Sequence, residues 1–127
     1  DDTGQYAALF RPTHMIGLEL GLSVASIALR GEPTGAPTGF RSDVAAVAKR
    51  DLKAGETLDG EGGYSVWGRQ LPAQRSVSEG ALPVGLAHGV TLVGDIVKGE
   101  TVRWEDVEID AEVDVVRARR EMESACL

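Results

Sequence analysis

The sequence predicts a mostly-β domain with a helix at each end, in which two similar β-turn-β units pack about a pseudo-twofold axis. Three observations carry that expectation. Residues 51–58, DLKAGETL, return as residues 95–102, DIVKGETV, at an offset of 44. Asp, Gly, Glu and Thr recur in identity and two aliphatic positions recur in kind. Two copies suit a closed pair of units better than a solenoid, which needs about three repeats. The second observation is helical apolar spacing near both ends of the chain. The third is composition: 16 glycines point to many turns, and 5% aromatics leave the core to Val, Leu, Ile and Ala.

Taken in order, the first dozen residues read as an extended arm. Thr13 can cap a helix that begins near His14. Met15, Leu18, Leu22, Ala25 and Leu29 then recur at helical spacing, and Ile16, Leu20, Val24, Ile27 and Ala28 widen the face until the helix is apolar nearly all round. Such a helix is expected to be buried on several sides. In a chain this short, the second buried side implies another subunit or an absent domain. Gly17 and Gly21 permit close approach of a neighbour, and Gly31 supplies the stop. Residues 32–42, rich in Pro and Gly, propagate neither helix nor strand. A boundary is therefore placed there, with residues 1–40 as helical arm and linker and 41–127 as a second domain.

Residues 44–48 form a short apolar run, expected as a buried strand. Asp51 opens a turn by bonding amides two residues on, Gly55 supplies a positive φ, and Thr57 and Leu58 return as strand. The second copy repeats this with residues 90–93, Asp95, Gly99, Thr101 and Val102. Between the copies, Tyr64, Val66 and Gly68 alternate with Ser65 and Trp67, as on a strand. Residues 71–83 read as a loop. Val107 and Ile109 alternate with acids, and the pattern turns helical near Glu112. Val115, Ala118, Met122 and Cys126 then share one face of a C-terminal helix ending near Ser124, with acids early and bases later to suit its dipole.

The totals exclude several roles. At 127 residues the chain is one domain's worth, and its net charge of −7 would repel a phosphate backbone, so no nucleic-acid partner is expected. The single cysteine, Cys126, allows no intrachain disulfide. The N-terminus lacks the basic region of a signal peptide, and the apolar stretch is too short to span a bilayer. A cytoplasmic protein without membrane contact is expected. The absence of a starting Met suggests a piece of a longer chain.

Motifs for chemistry are sparse. Residues 60–63, GEGG, fail the G-x-G-x-x-G pattern, because its last glycine would fall at Ser65, and they precede a strand instead of opening a helix. His14 and His88 have no partners at metal-ligand spacing. No catalytic, cofactor-binding or metal residue is assigned. Candidate ligand or interface positions are Arg11 and His14, at a helix N-terminus that favours anions. Lys49 and Arg50 form a small basic cluster in an acidic chain, and Gly62, Gly63 and Tyr64 form a glycine-aromatic loop. The bland alternatives are capping with a surface ion pair, a solvated turn, and packing. Trp67 and Trp104 are expected as core or interface anchors.

The repeated D-[LI]-x-x-G-E-T-[LV] turns resemble those of the SAF domain, the β-clip module of sialic acid synthases, type III antifreeze proteins and flagellar P-ring chaperones. Residues 44–58 carry the first half and residues 85–108 the second. The flanks, FRPTHMIGLE at 10–19 and LRGEPT at 29–34, with residues 60–68, resemble the C-terminal part of bacterial NAD(P)-dependent oxidoreductases of the homoserine-dehydrogenase-like type, including those like deoxyxylulose-phosphate reductoisomerase. That resemblance implies missing N-terminal Rossmann and catalytic domains and NAD(P) bound by the parent protein and not by this chain. It makes residues 1–40 the tail of the catalytic domain. The all-round apolar helix over 15–29 leads to the expectation of a homo-oligomer. Rival readings are a stand-alone module binding a sugar acid or hydroxy acid near Lys49, Arg50 and Tyr64, a structural or chaperone-like β-clip protein, and a small enzyme using His14.

Overall fold

The computed structural model describes residues 20–36 and 38–126, together with residues 8, 10, 12, 13 and 17. The chain divides into two compact units, Asp1–Pro37 and Thr38–Leu127. In the first, helix α1 (Leu20–Arg30) starts later than the apolar spacing suggests. Gly17 has φ +91°, outside the right-handed helical region, and the other expected first-turn residues lie outside the described ones. Gly31 stops the helix as expected, with φ +68° and its N–H bonded to the Ile27 carbonyl at 3.0 Å. No residue of α1 is buried by the described residues of this chain. Leu20, Leu22, Val24, Ile27 and Leu29 are between 61% and 85% exposed.

The second unit holds two small antiparallel sheets. Strand β1 (Ser42–Ala48) pairs with β3 (Val66–Pro72), and β2 (Thr57–Asp59), β4 (His88–Leu92) and β5 (Val107–Glu108) pair in the order β2-β4-β5. Two α-helices belong to this unit, the short α2 (Ala73–Ser78) after β3 and the C-terminal α3 (Asp114–Cys126). The main core is aliphatic, as the composition requires. Leu52, Leu58, Val66, Leu82, Leu92 and Val102 lie at its centre, and Trp104 packs against its edge.

The two repeats clasp one another reciprocally. Leu52 and Ile96 exchange both backbone bonds, at 2.8 and 3.0 Å. The Gly55 N–H reaches the Leu92 carbonyl at 2.8 Å, and the equivalent Gly99 N–H reaches Ala48 at 2.9 Å. Thr57 pairs with Thr91, and its counterpart Thr101 pairs with Val47. Within each turn the Glu N–H returns to the carbonyl three residues back: Glu56 to Lys53 at 3.0 Å, Glu100 to Val97 at 3.1 Å. Gly55 and Gly99 take φ of +83° and +88°, the positive value a type II turn demands at its third position. The two aspartates cap the opposite turn. Asp51 accepts the Lys98 N–H at 2.9 Å and Asp95 the Ala54 N–H at 3.0 Å. This corrects the expected local turn bond: each carboxylate serves the other copy, so neither turn is complete without its mate.

Further corrections concern short-range pattern. Residues 71–83 are not a plain loop; they finish β3 and form α2, whose buried Ser76 is drawn inward by the Asp43 carboxylate at 2.5 Å. Tyr64 lies just before β3 instead of within it. Helix α3 forms, but its inward residues are Val116 and Glu123, with Arg119 between them, and Val115 is exposed. The reason is electrostatic. Arg119 bonds both oxygens of Asp43, at 3.0 and 2.5 Å, and Glu123 at 2.7 Å. Its guanidinium also lies 4.8 Å from the Phe40 ring centroid. Arg120 covers Trp104 at 3.7 Å. This ionic seam turns α3 one residue away from its apolar stripe.

Candidate functional site

Asp59 ends β2, and the chain turns from it through a glycine-rich loop to Ser65. Its carboxylate accepts the N–H of Tyr64 at 2.6 Å, the N–H of Ser65 at 2.9 Å and the Ser65 hydroxyl. The Ser65 hydroxyl first, then the two amides, hold Asp59 well below the usual carboxylate range, since all three bonds favour the charged form. Gly60 and Gly62 take φ of +73° and +79°. A side chain at Gly63 would overlap the Asp59 carboxylate, and one at Gly60 would come within 2.8 Å of the His88 Cβ. The Lys49 ammonium donates to the Gly63 carbonyl, and His88 Nδ1 sits 3.1 Å from the Asp59 carbonyl.

These bonds fix the loop backbone and leave one large side chain free. Tyr64 is 86% exposed at its tip. An aromatic presented on a fixed backbone offers a large amphipathic contact at low entropic cost. Lys49, Gly62, Gly63 and Tyr64 therefore come together. Arg50 does not join them; it donates to Glu56 at 2.7 Å and to the Asp51 carbonyl at 3.0 Å. Arg11 and His14 lie outside the described residues. Trp67 is partly exposed beside Arg69, whereas Trp104 packs on the core.

The polar groups of the loop are engaged with one another, and what it presents outward is the Tyr64 ring. The Ser65 hydroxyl is directed at a carboxylate that closes the loop, and both neighbouring cations have internal partners. Among the described residues no group of three or more His, Cys, Asp or Glu side chains could hold a metal ion. Sequence reasoning missed Asp59 and Ser65, the residues that organise the loop. An aspartate immediately before a glycine-rich stretch was the available signal, because its carboxylate can collect the amides that glycines expose.

The family model for the SAF domain matches residues 43–108, just over half of the chain. The chain belongs to the SAF domain family. The match opens at Asp43 in β1 and closes at Glu108 in β5, so it takes in all five strands and both clasped turns. SAF domains occur in binding and structural modules, which suits a presented aromatic loop. Helices α1 and α3 lie outside the matched SAF segment. No curated protein matches the chain.

Proposed function

We propose that this SAF domain is the C-terminal part of a cytoplasmic NAD(P)-dependent oxidoreductase of the homoserine-dehydrogenase-like type, where it covers the catalytic domain and supports a homo-oligomer without being catalytic itself. The observation that carries the reading is α1. Five of its apolar side chains stand in water, and burying each fully is worth about 1.5–3 kcal/mol. A helix of that composition is the exposed half of an interface. In this reading residues 1–40 are the tail of the catalytic domain, which supplies the missing cover together with a neighbouring subunit. The Tyr64 loop is then the anchor the SAF domain offers to that partner.

NAD(P) belongs upstream in this reading. The described glycine-rich loop does not suit a dinucleotide, because the amides that would cradle a phosphate already serve the Asp59 carboxylate. The loop also leads into a strand and offers no helix N-terminus. The test is sedimentation and NADPH turnover of the parent protein with and without residues 41–127. Loss of the oligomer and a fall in turnover on deletion are expected. An unchanged oligomer with unchanged turnover overturns the proposal.

A further inference from the structure

An open groove of about 430 Å3 lies beside the second turn. Arg69, Arg103, Thr101 and four carboxylates line it: Glu79, Asp95, Glu100 and Asp106. Each carboxylate already has a partner. Glu79 pairs with Arg75 at 2.6 Å, and Asp95 with Lys53 at 2.6 Å. Glu100 accepts the Val97 N–H at 3.2 Å, and Asp106 the Arg103 N–H at 2.7 Å. Arg69 pairs with none of the four. Neutral acceptors hold it instead: its Nη2 donates to the Thr101 hydroxyl at 2.9 Å and more loosely to the Gly99 carbonyl at 3.4 Å. Its guanidinium lies 5.8 Å from the Trp67 ring centroid, and its Nε is buried with no hydrogen-bond partner.

A buried donor of a charged group without a partner is uncommon in folded proteins, and here it marks an arginine that no carboxylate among the described residues neutralises. Here the donor belongs to a fork already fixed in place, which removes much of the entropic cost of binding. We infer that the groove takes a small anion, bearing carboxylate or phosphate oxygens, seated on the groove side of the Arg69 guanidinium, with Arg103, whose Nη1 lies 3.4 Å from Glu105, as a secondary cation. The groove has the volume of a small-molecule site. The planar guanidinium matches both kinds of oxygen pair. The chain's charge of −7 and the carboxylates of the lining, two of them bonded only to backbone amides, oppose any anion, so binding is weak and best read at low ionic strength.

The arginine Nε–Hε resonances of the 127-residue chain test this directly. Malonate and inorganic phosphate are titrated separately at constant ionic strength, with chloride as the balancing salt. The Arg69 resonance should move saturably with at least one of them, while that of Arg117, ion-paired to Asp114, stays in place. Saturation by malonate alone assigns a carboxylate ligand, and by phosphate alone a phosphate one. Arg69→Lys, which keeps the charge but loses the fork, should weaken binding at least tenfold. Thr101→Val, which frees the guanidinium without removing it, should weaken it about threefold and serves if the first variant does not fold. Absence of saturation with both anions, or unchanged affinity in either folded variant, overturns the inference.

Discussion

Replacing Arg119 with methionine should destabilise the second unit by about 3–5 kcal/mol, the cost of breaking a buried ion pair from one side. The structure sets that magnitude. The side chains of Arg119, Asp43 and Glu123 are 14%, 6% and 9% exposed. Methionine fills much of the same volume but removes three charge-assisted bonds, leaving two carboxylates buried against an apolar chain. Arg120 provides the internal comparison. It is half exposed, its ion pair with Glu123 contributes at most about 1 kcal/mol, and its contact with Trp104 adds about 0.5–1 kcal/mol. Arg120→Met should therefore cost clearly less. Urea denaturation followed by circular dichroism measures both, and amide exchange in α3 shows whether the helix leaves first. It should, because α3 buries little apolar surface. The pH dependence has a definite sign. Burial opposes ionisation of Asp43, but Arg119 and Ser76 outweigh it and lower its pKa below the usual value. Its contribution is present above the unfolded value of about 4 and is lost as pH falls through the folded one. Arg119→Met should flatten stability across that acid range. A loss below about 1 kcal/mol, as for an exposed pair, refutes the reasoning.

Two further outcomes are expected. Gly55→Ala and Gly99→Ala meet open space, so each should cost about 1–2 kcal/mol from positive-φ strain alone, and the two costs should agree within about 0.5 kcal/mol in thermal or urea denaturation. Gly63→Ala has no room beside the Asp59 carboxylate. It should push Asp59 out of the loop, speed exchange of the Tyr64 amide and raise the Asp59 pKa toward the ordinary range, read by carboxyl carbon shifts in an acid titration.

Much of the fold was legible because it rests on repetition and short-range chemistry. The echo at 51–58 and 95–102 marked two equivalent turns, and each glycine was placed where a positive φ is required. The strand over 44–48 and the aliphatic core followed from composition and burial pattern. What escaped notice depends on partners distant in sequence. The crossed bonds of Asp51 and Asp95 span more than 40 residues, and each carboxylate has a local alternative that reads equally well in one dimension. Arg119 and Asp43 are 76 residues apart, so the α3 face appeared apolar when it is ionic. In the candidate site, Lys49, Gly62, Gly63 and Tyr64 stand out by residue type, whereas Asp59, whose carboxylate gathers the loop amides, reads as an ordinary acidic residue at a strand end. The apolar character of α1 on all sides is legible, but its burial is not, because none of its residues is buried by the described chain.

The reciprocal clasp of the two turns is tested most directly by amide exchange in Asp51→Asn and Asp95→Asn. Asp51→Asn should speed exchange at Lys98 while sparing Ala54, and Asp95→Asn should do the reverse. If each change instead loosens the amides of its own turn, the two halves are capped locally and the clasp is wrong.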